Sequence, residues 1–303
     1  MEMEMEMEVN VITNLTISLA TIDELETVAE FIENMNQREE HHIGYCGTDK
    51  QEIKDALIGD LSDVPFEASF LIATINKSII GIIGFDADVE NKSAEIWGPF
   101  IHRENAEYLP ALWNKMLEIL PLEITTLGLF PNQKNDLINE FTLRNPILKT
   151  SAQTILQVTQ HLQQEEIWSF HELTPEYYDQ MKKLHDQTFP DTYYNGAQII
   201  ERINPQRKVL IHTKEKKLIG YIYVEVEPNF GDANIEFFAV EPSERKKGMG
   251  AALLQMALGW IFTFKEIQDV TLCVESSNKK AISLYQKIGF KKKYQLNYFL
   301  INR

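Results

Sequence analysis

The strongest constraint in this sequence is an order of elements that occurs twice. Read by apolar periodicity, each half runs strand, helix, helix, hairpin, strand, helix, strand, helix, strand. In the first half, a strand at Leu15–Leu19 precedes Thr21 and Glu24, spaced as a capping box, and a helix reaching Asn34. A helix at Asp49–Ile58 and a hairpin of Ala68–Ile75 with Ser78–Phe85 follow. Then come a strand at Ala94–Ile101, a helix at Asn105–Leu120, a strand at Ile124–Phe130, a helix at Gln133–Thr142 and a strand at Ser151–Val158. The second half predicts a strand at Trp168–Leu173, helices at Pro175–Phe189 and Ala197–Ile203, and a hairpin of Lys208–Thr213 with Leu218–Val226. A strand at Ala233–Val240, a helix at Gly248–Phe264, a strand at Asp269–Val274, a helix at Lys279–Ile288 and a strand at Tyr294–Ile301 complete it.

This pattern predicts an α/β chain of the α+β, mixed-sheet kind: two tandem domains, each a mostly antiparallel sheet flanked by helices. A length of 303 residues agrees, since it exceeds the commonest size for one hydrophobic core. The expected division is residues 1–160, a Gln/Glu-rich linker at 161–166, and residues 167–303. The Met-Glu repeat that begins the chain makes residues 1–10 a tail or an edge strand. Setting Glu95 against Glu236 brings the two halves into line, with Thr126–Leu129 against Thr271–Val274.

A net charge of −16 repels a polyanion over most of the surface, which argues against nucleic acid as a partner. No apolar stretch is long enough to span a membrane, and the chain reads as soluble and cytoplasmic. Cys46 and Cys273 stand far apart without a neighbouring Cys or His at ligand spacing, so neither a disulfide framework nor a metal site is expected. Cys273 reads as a small buried thiol in a strand. His41 and His42 are adjacent, point in different directions and lack a third ligand.

Gly248-Met249-Gly250 is the only Gly-x-Gly in the chain, and chance alone could produce it. Its context is informative. The strand ending in Phe238, Ala239 and Val240 leads through a polar turn to Arg245, Lys246 and Lys247, and the glycines open an apolar helix beginning at Ala251. Free N–H groups at a helix start, with basic side chains alongside, suit a phosphate. About thirty residues on, Asn278, Ala281, Tyr285 and Lys287-Ile288-Gly289-Phe290 lie on a helix with a cap cluster at its start.

Together these two segments resemble the signature of the GNAT superfamily of N-acetyltransferases. The resemblance implies that acetyl-CoA is the acetyl donor. Arg245–Gly250, with Ala251 behind them, would grip its pyrophosphate, and the main chain of Phe238, Ala239 and Val240 would pair with its pantetheine arm. Asn278, Ala281 and Tyr285 would contribute from the later helix. In the family, the tyrosine matching Tyr285 sits near the thioester sulfur and can protonate the thiolate; the alternative is a core aromatic. An amine acceptor needs a base, and Glu236 is the first candidate, ahead of Glu225 and Glu275, each with a salt-bridged or solvated carboxylate as its plain alternative.

The first half lacks this equipment. Its counterpart loop, Glu104–Pro110, has no glycine and carries two glutamates, so it reads as a degenerate GNAT-like domain, with Trp97 and Phe100 as core or cleft residues. The expected function is acetylation of a primary amine on a small molecule, without a metal. A protein N-terminal or lysine acetyltransferase, or a non-catalytic acyl-CoA-binding protein, are the alternatives. The expected assembly is a monomer with an intrachain pseudo-dimer, or a homodimer.

Overall fold

The structure is a computed structural model that describes residues 15–59, 62–145, 148–160, 171–190 and 192–303. The Met-Glu repeat, the 161–166 linker and most of the Trp168–Leu173 strand lie outside the described residues; Glu172 forms only an isolated bridge to Leu210.

Two compact units form, one from residues up to Ser151 together with Leu296–Arg303, the other from Ala152–Gln295. This differs from the division expected at the linker. The physical reason is strand membership. The last strand of the chain pairs with a strand of the first unit, Phe299 against Leu129, while the strand before the linker pairs with one of the second, Leu156 against Leu272.

The first unit contains β1 (Leu15–Leu19), α1 (Leu25–Asn36), α2 (Lys50–Ile58), α3 (Phe66–Ser69), β2 (Phe70–Ile75), β3 (Ser78–Asp88), β4 (Ser93–Ile101), α4 (Leu109–Ile119), β5 (Thr126–Leu129) and α5 (Asp136–Arg144). Thr21 and Glu24 form the expected local contact, the Thr21 N–H donating to Glu24 Oε2 at 2.9 Å. Strands β1 to β4 pair antiparallel in order, and β4 pairs parallel with β5. Several boundaries move from their expected positions, and at two of them the type of element changes. Residues 68 and 69 belong to the short helix α3, and residues 103–108 form a tight 3-10 segment ahead of α4. Pro110 explains the second shift, since proline suits a helix start and not its interior.

The second unit contains α6 (Tyr178–Thr188), α7 (Gly196–Glu201), β7 (Arg207–Lys214), β8 (Lys217–Glu227), β9 (Asp232–Val240), α8 (Met249–Ile261), β10 (Asp269–Glu275) and α9 (Lys279–Ile288). It also takes β6 (Leu148–Thr159) from Ala152 onward, and β11 (Lys291–Asn302) as far as Gln295. Its sheet runs β6-β10-β9-β8-β7 and is antiparallel except between β10 and β9. Met181, Leu184 and Ile199 pack on one face; Leu253, Leu254, Ala257, Tyr285 and Phe290 pack on the other. Leu218–Val224 of β8 is buried residue after residue, as a central strand covered on both faces requires.

The strand ladders correct the alignment of the two halves. Ser93 pairs with Thr126 where Asp232 pairs with Asp269, so Glu95 takes the rung of Asn234 and Trp97 that of Glu236. Thr126 likewise matches Asp269 and not Thr271. Matching short apolar runs by identity slips by two residues because such a slip keeps every side chain on its own face.

Candidate active site

In the second unit, β9 and β10 pair from Asp232 and Asp269 to Ile235 and Leu272, and there the ladder stops. Beyond it β9 continues to pair with β8 only. The Glu241 N–H donates to Ile219 on the β8 side. Alternation along the strand therefore turns the N–H and C=O of Phe238 and Val240 into the gap that β10 has left. Ala239 directs its main chain toward β8, so of the three strand residues expected to hold a pantetheine arm, Phe238 and Val240 face the gap. The Val240 carbonyl accepts from Arg245 Nε at 2.9 Å.

The loop after β9 opens α8. Lys246 and Gly248 both take left-handed backbone, with φ of 64° and 86°. The two glycines serve different ends. A Cβ on Gly248 would meet nothing within 4 Å, so this position needs glycine for its φ and leaves open space before the helix start. A Cβ on Gly250 would lie 3.0 Å from Leu284 Cδ2 and 3.1 Å from Phe238 Cζ, so Gly250 lets α8 pack closely on β9 and α9. Lys246, Lys247 and Gly248 are exposed, and Met249 and Ala251 follow half-buried. Lys247 Nζ lies 3.2 Å from Glu244. Open space, unpaired helix N–H groups and exposed lysines fit a pyrophosphate.

Asn278 caps α9, its Oδ1 accepting from the Ala281 N–H at 3.1 Å, and α9 sets Tyr285 against Phe238 and Phe290, with ring centroids 6.3 and 6.0 Å away. Tyr285 is buried among Leu253, Leu254 and Val274, and that burial, aided by Cys273, pushes its hydroxyl up to about 12. No hydrogen bond engages the hydroxyl among the described residues. Cys273 is exposed, contrary to its expected burial, because it alternates with the buried Leu272 and Val274; its Sγ lies 3.0 Å from Gln153 Oε1.

Glu236 lies at an irregularity of β9. Val224 pairs with Ile235 and Tyr223 with Phe237, so Glu236 is the extra residue of a bulge, which re-aims its side chain. Tyr193 donates its hydroxyl to Glu236 Oε2, and the Tyr193 ring lies 4.9 Å from that of Phe237. Burial raises the Glu236 pKa above the usual carboxylate range, while the Tyr193 hydrogen bond pulls it back. Glu225 is engaged otherwise. Arg202 Nη2 lies 3.0 Å from its Oε1, Arg207 Nε 3.1 Å from its Oε2, and the Tyr223 hydroxyl donates to it. Glu275 is exposed and accepts from Ser277 at 2.8 Å. Of the three carboxylates, Glu236 alone combines partial burial with a place at the end of the β9-β10 ladder.

Sequence reasoning missed the wall around Glu236. Tyr193, Tyr194 and Arg202 belong to it, with the Arg202 guanidinium 4.2 Å from the Tyr194 ring centroid. His185, buried, donates from Nε2 to the Tyr194 carbonyl at 2.8 Å and accepts from the Tyr221 hydroxyl at Nδ1. The one local signal was an aromatic pair in a polar loop just before the helix-capping Asn195.

In the first unit the equivalent places look different. Its β4-β5 ladder ends at Glu95 and Gly128, and the opening beyond is filled by the chain itself. The Gly44 N–H donates to the Phe130 carbonyl at 2.8 Å, and Ile43 bridges Pro131. Asn297 donates to Pro131 from the opposite side, so Gly44 approaches on the β4 side. Ile43 and Cys46 are buried there. No residue of 102–110 has a positive φ, and Leu109 is buried at the start of α4. His41 stacks edge-on against His102 with centroids 5.8 Å apart.

Comparison with known proteins agrees with this architecture. Residues 167–290 match the sequence profile of the Acetyltransferase (GNAT) family. Residues 167–290 are thus similar to the GNAT acetyltransferases, a family of acyltransferases. The chain is 27% identical over 116 residues to a spermidine N(1)-acetyltransferase of Vibrio cholerae, a match covering 38% of this chain and 60% of that relative's length. Among solved structures it is similar to a GCN5-related N-acetyltransferase from Sphaerobacter thermophilus, with a TM-score of 0.71, 11% identity and 95% of each chain covered. It is also similar to a tandem GNAT protein from the clavulanic acid biosynthesis pathway, with a TM-score of 0.65, 15% identity, and 95% of this chain and 98% of that one covered. Both likenesses show a shared fold over nearly the whole chain. No helix among the described residues is long and apolar enough to cross a membrane.

Proposed function

We propose that this chain acetylates a primary amine on a small molecule, with acetyl-CoA as donor and one donor site per chain, in the second unit. The observation that carries the reading is the gap at the end of the β9-β10 ladder. Phe238 and Val240 turn main-chain groups into it, the Gly248 loop lies at its mouth, and Glu236 and Tyr285 flank the same stretch of β9 from opposite faces. Arg245, Lys246, Lys247 and the first N–H groups of α8 would hold the pyrophosphate. When bound, acetyl-CoA supplies an activated thioester.

Glu236 takes the proton that an ammonium acceptor must lose before its nitrogen can attack. A carboxylate whose pKa is raised is a better base near neutral pH than an ordinary one. With its hydroxyl pushed up to about 12, Tyr285 keeps its proton at neutral pH and is present beside the gap as an acid for the departing thiolate; an ordinary thiol is the stronger acid, so the tyrosinate formed is transient and is reprotonated from solvent. The aromatic wall of Tyr193, Tyr194 and Phe237 around Glu236 supports a small acceptor, and the chain's net charge of −16 supports a cationic one. That the first unit fills its own strand opening and lacks left-handed turns at 102–110 supports a single donor site.

The test is release of CoA thiol from acetyl-CoA with a panel of spermidine, simple alkylamines and a peptide bearing a free N-terminus. Turnover of a small amine, lost in Glu236→Gln, is the expected result. Turnover of the peptide alone overturns the small-molecule reading, and failure to bind acetyl-CoA overturns the donor site.

A further inference from the structure

We infer that Tyr193 is a positioning residue for Glu236, fixing the carboxylate in its proton-accepting form at the edge of the β9-β10 gap before an acceptor arrives. The inference rests on the acetyl-transfer reading above.

Tyr193 is 56% exposed, with its ring packed on Tyr194 and Phe237. Its hydroxyl donates to Glu236 Oε2. The loop that presents it is anchored on the following residues. The Tyr194 carbonyl accepts from the buried His185, the Tyr194 ring lies under Arg202, and the Gly196 N–H donates to Asp186 Oδ1 at 2.8 Å. Asn195 caps α7 through the N–H groups of Ala197 and Gln198. Tyr193 is thus one residue from a fixed point.

The other charged groups around Glu236 are Glu225 on β8, Arg202 after α7 and Arg207 on β7. The two arginines both contact Glu225, which leaves the Tyr193 hydroxyl as the donor that meets Glu236. A half-buried carboxylate with no donor would hold its proton to higher pH, and so would serve as a base over a narrower range. With the donor, the ionised form is favoured.

Tyr193→Phe keeps the ring and its packing and removes only the donor. In protein labelled with carbon-13 at glutamate carboxyls, with Glu236→Gln as the assignment control, the Glu236 midpoint should move up by about one pH unit. The acid limb of kcat/KM for the best amine in the panel should move the same way. That is about a tenfold loss on the limb, recovered at the high-pH plateau. An unmoved midpoint, or a rate loss equal at every pH, overturns the role of Tyr193. Full activity of Glu236→Gln overturns the base assignment beneath it, whatever Tyr193→Phe does.

Discussion

Gly248→Ala isolates the backbone requirement of the donor loop. At φ 86° and ψ −8° an L residue lies outside its comfortable region, at a cost of about 1–2 kcal/mol. A Cβ at this position meets nothing within 4 Å, so no packing gain or clash offsets that cost. Unfolding in urea without ligand should therefore show a destabilisation of about 1–2 kcal/mol for the second unit. Gly248→Asn, whose short amide tolerates left-handed backbone better, should recover much of it. Acetyl-CoA affinity by calorimetry should fall with Ala and partly return with Asn, because the loop can relieve strain only by moving the N–H groups of α8. Gly250→Ala is the contrast. There the cost comes from Leu284 and Phe238 at 3.0 and 3.1 Å, offset by the better helix propensity of alanine, and Asn should be worse than Ala. If Gly248→Ala is neutral, or if Ala and Asn rank alike at the two positions, the division of roles between the glycines is wrong.

Tyr285→Phe should lower kcat by about tenfold or more with acetyl-CoA affinity nearly unchanged, checked by single-turnover kinetics beside calorimetry; an equal loss in both makes Tyr285 a packing residue. Cys273→Ala should leave the rate intact, since the thiol is exposed and bonded to Gln153, and intact-mass spectra of wild type with acetyl-CoA should show no acetyl adduct. Asp86 and Glu95 face each other across β3 and β4, and desolvation pushes them up to about 6 and about 7. Solvent reaches Glu95, but the protein crowding its carboxyl still disfavours the charge. Folded pKa values above the unfolded ones mean stability is full below about pH 4 and declines as pH rises to about 7. After allowing for solvent screening the loss is on the order of 1–2 kcal/mol, and Glu95→Gln should flatten it in urea unfolding at pH 5 and pH 8.

The local structure of the loop that opens α8 was legible because its parts are contiguous. A strand, a turn with basic residues, two glycines and an apolar helix follow one another without a break, and Asn278 caps α9 by a bond spanning three residues. The surroundings of Glu236 were not legible, because Tyr193 lies 43 residues away along the chain and reaches it only through packing on Phe237. The division into units escaped for a similar reason. Pairing of Phe299 with Leu129 and of Leu156 with Leu272 joins residues far apart, and nothing in a twelve-residue run of alternating residues says which neighbour it will take. Cys273 shows the limit of composition: a cysteine in a strand is buried or exposed according to its parity, and parity is fixed only once Leu272 and Val274 are known to face α8 and α9.

The two halves differ most where their sheets open, and the difference follows from a few residues. Both have a parallel ladder that ends after three or four rungs, and in both the earlier strand of the ladder continues beyond it paired on its other side only, β4 with β3 and β9 with β8. In the second unit the freed groups of Phe238 and Val240 have no strand opposite, and Arg245 takes the last carbonyl. In the first, residues 43–46 enter the opening, with Gly44 close enough to Leu296 that a Cβ would stand 2.5 Å from its Cδ1. A buried backbone group must find a partner, and a ligand arm or the chain's own loop can each provide one. The segment that follows agrees in each case. Where the opening is free, Lys246 and Gly248 adopt left-handed backbone and α8 begins with exposed N–H groups; where it is filled, a 3-10 segment runs into a buried Leu109 and a proline. Restoring glycines at 102–110 would therefore not create a second donor site, because the slot that an acyl-CoA arm needs is already occupied by Ile43 and Gly44.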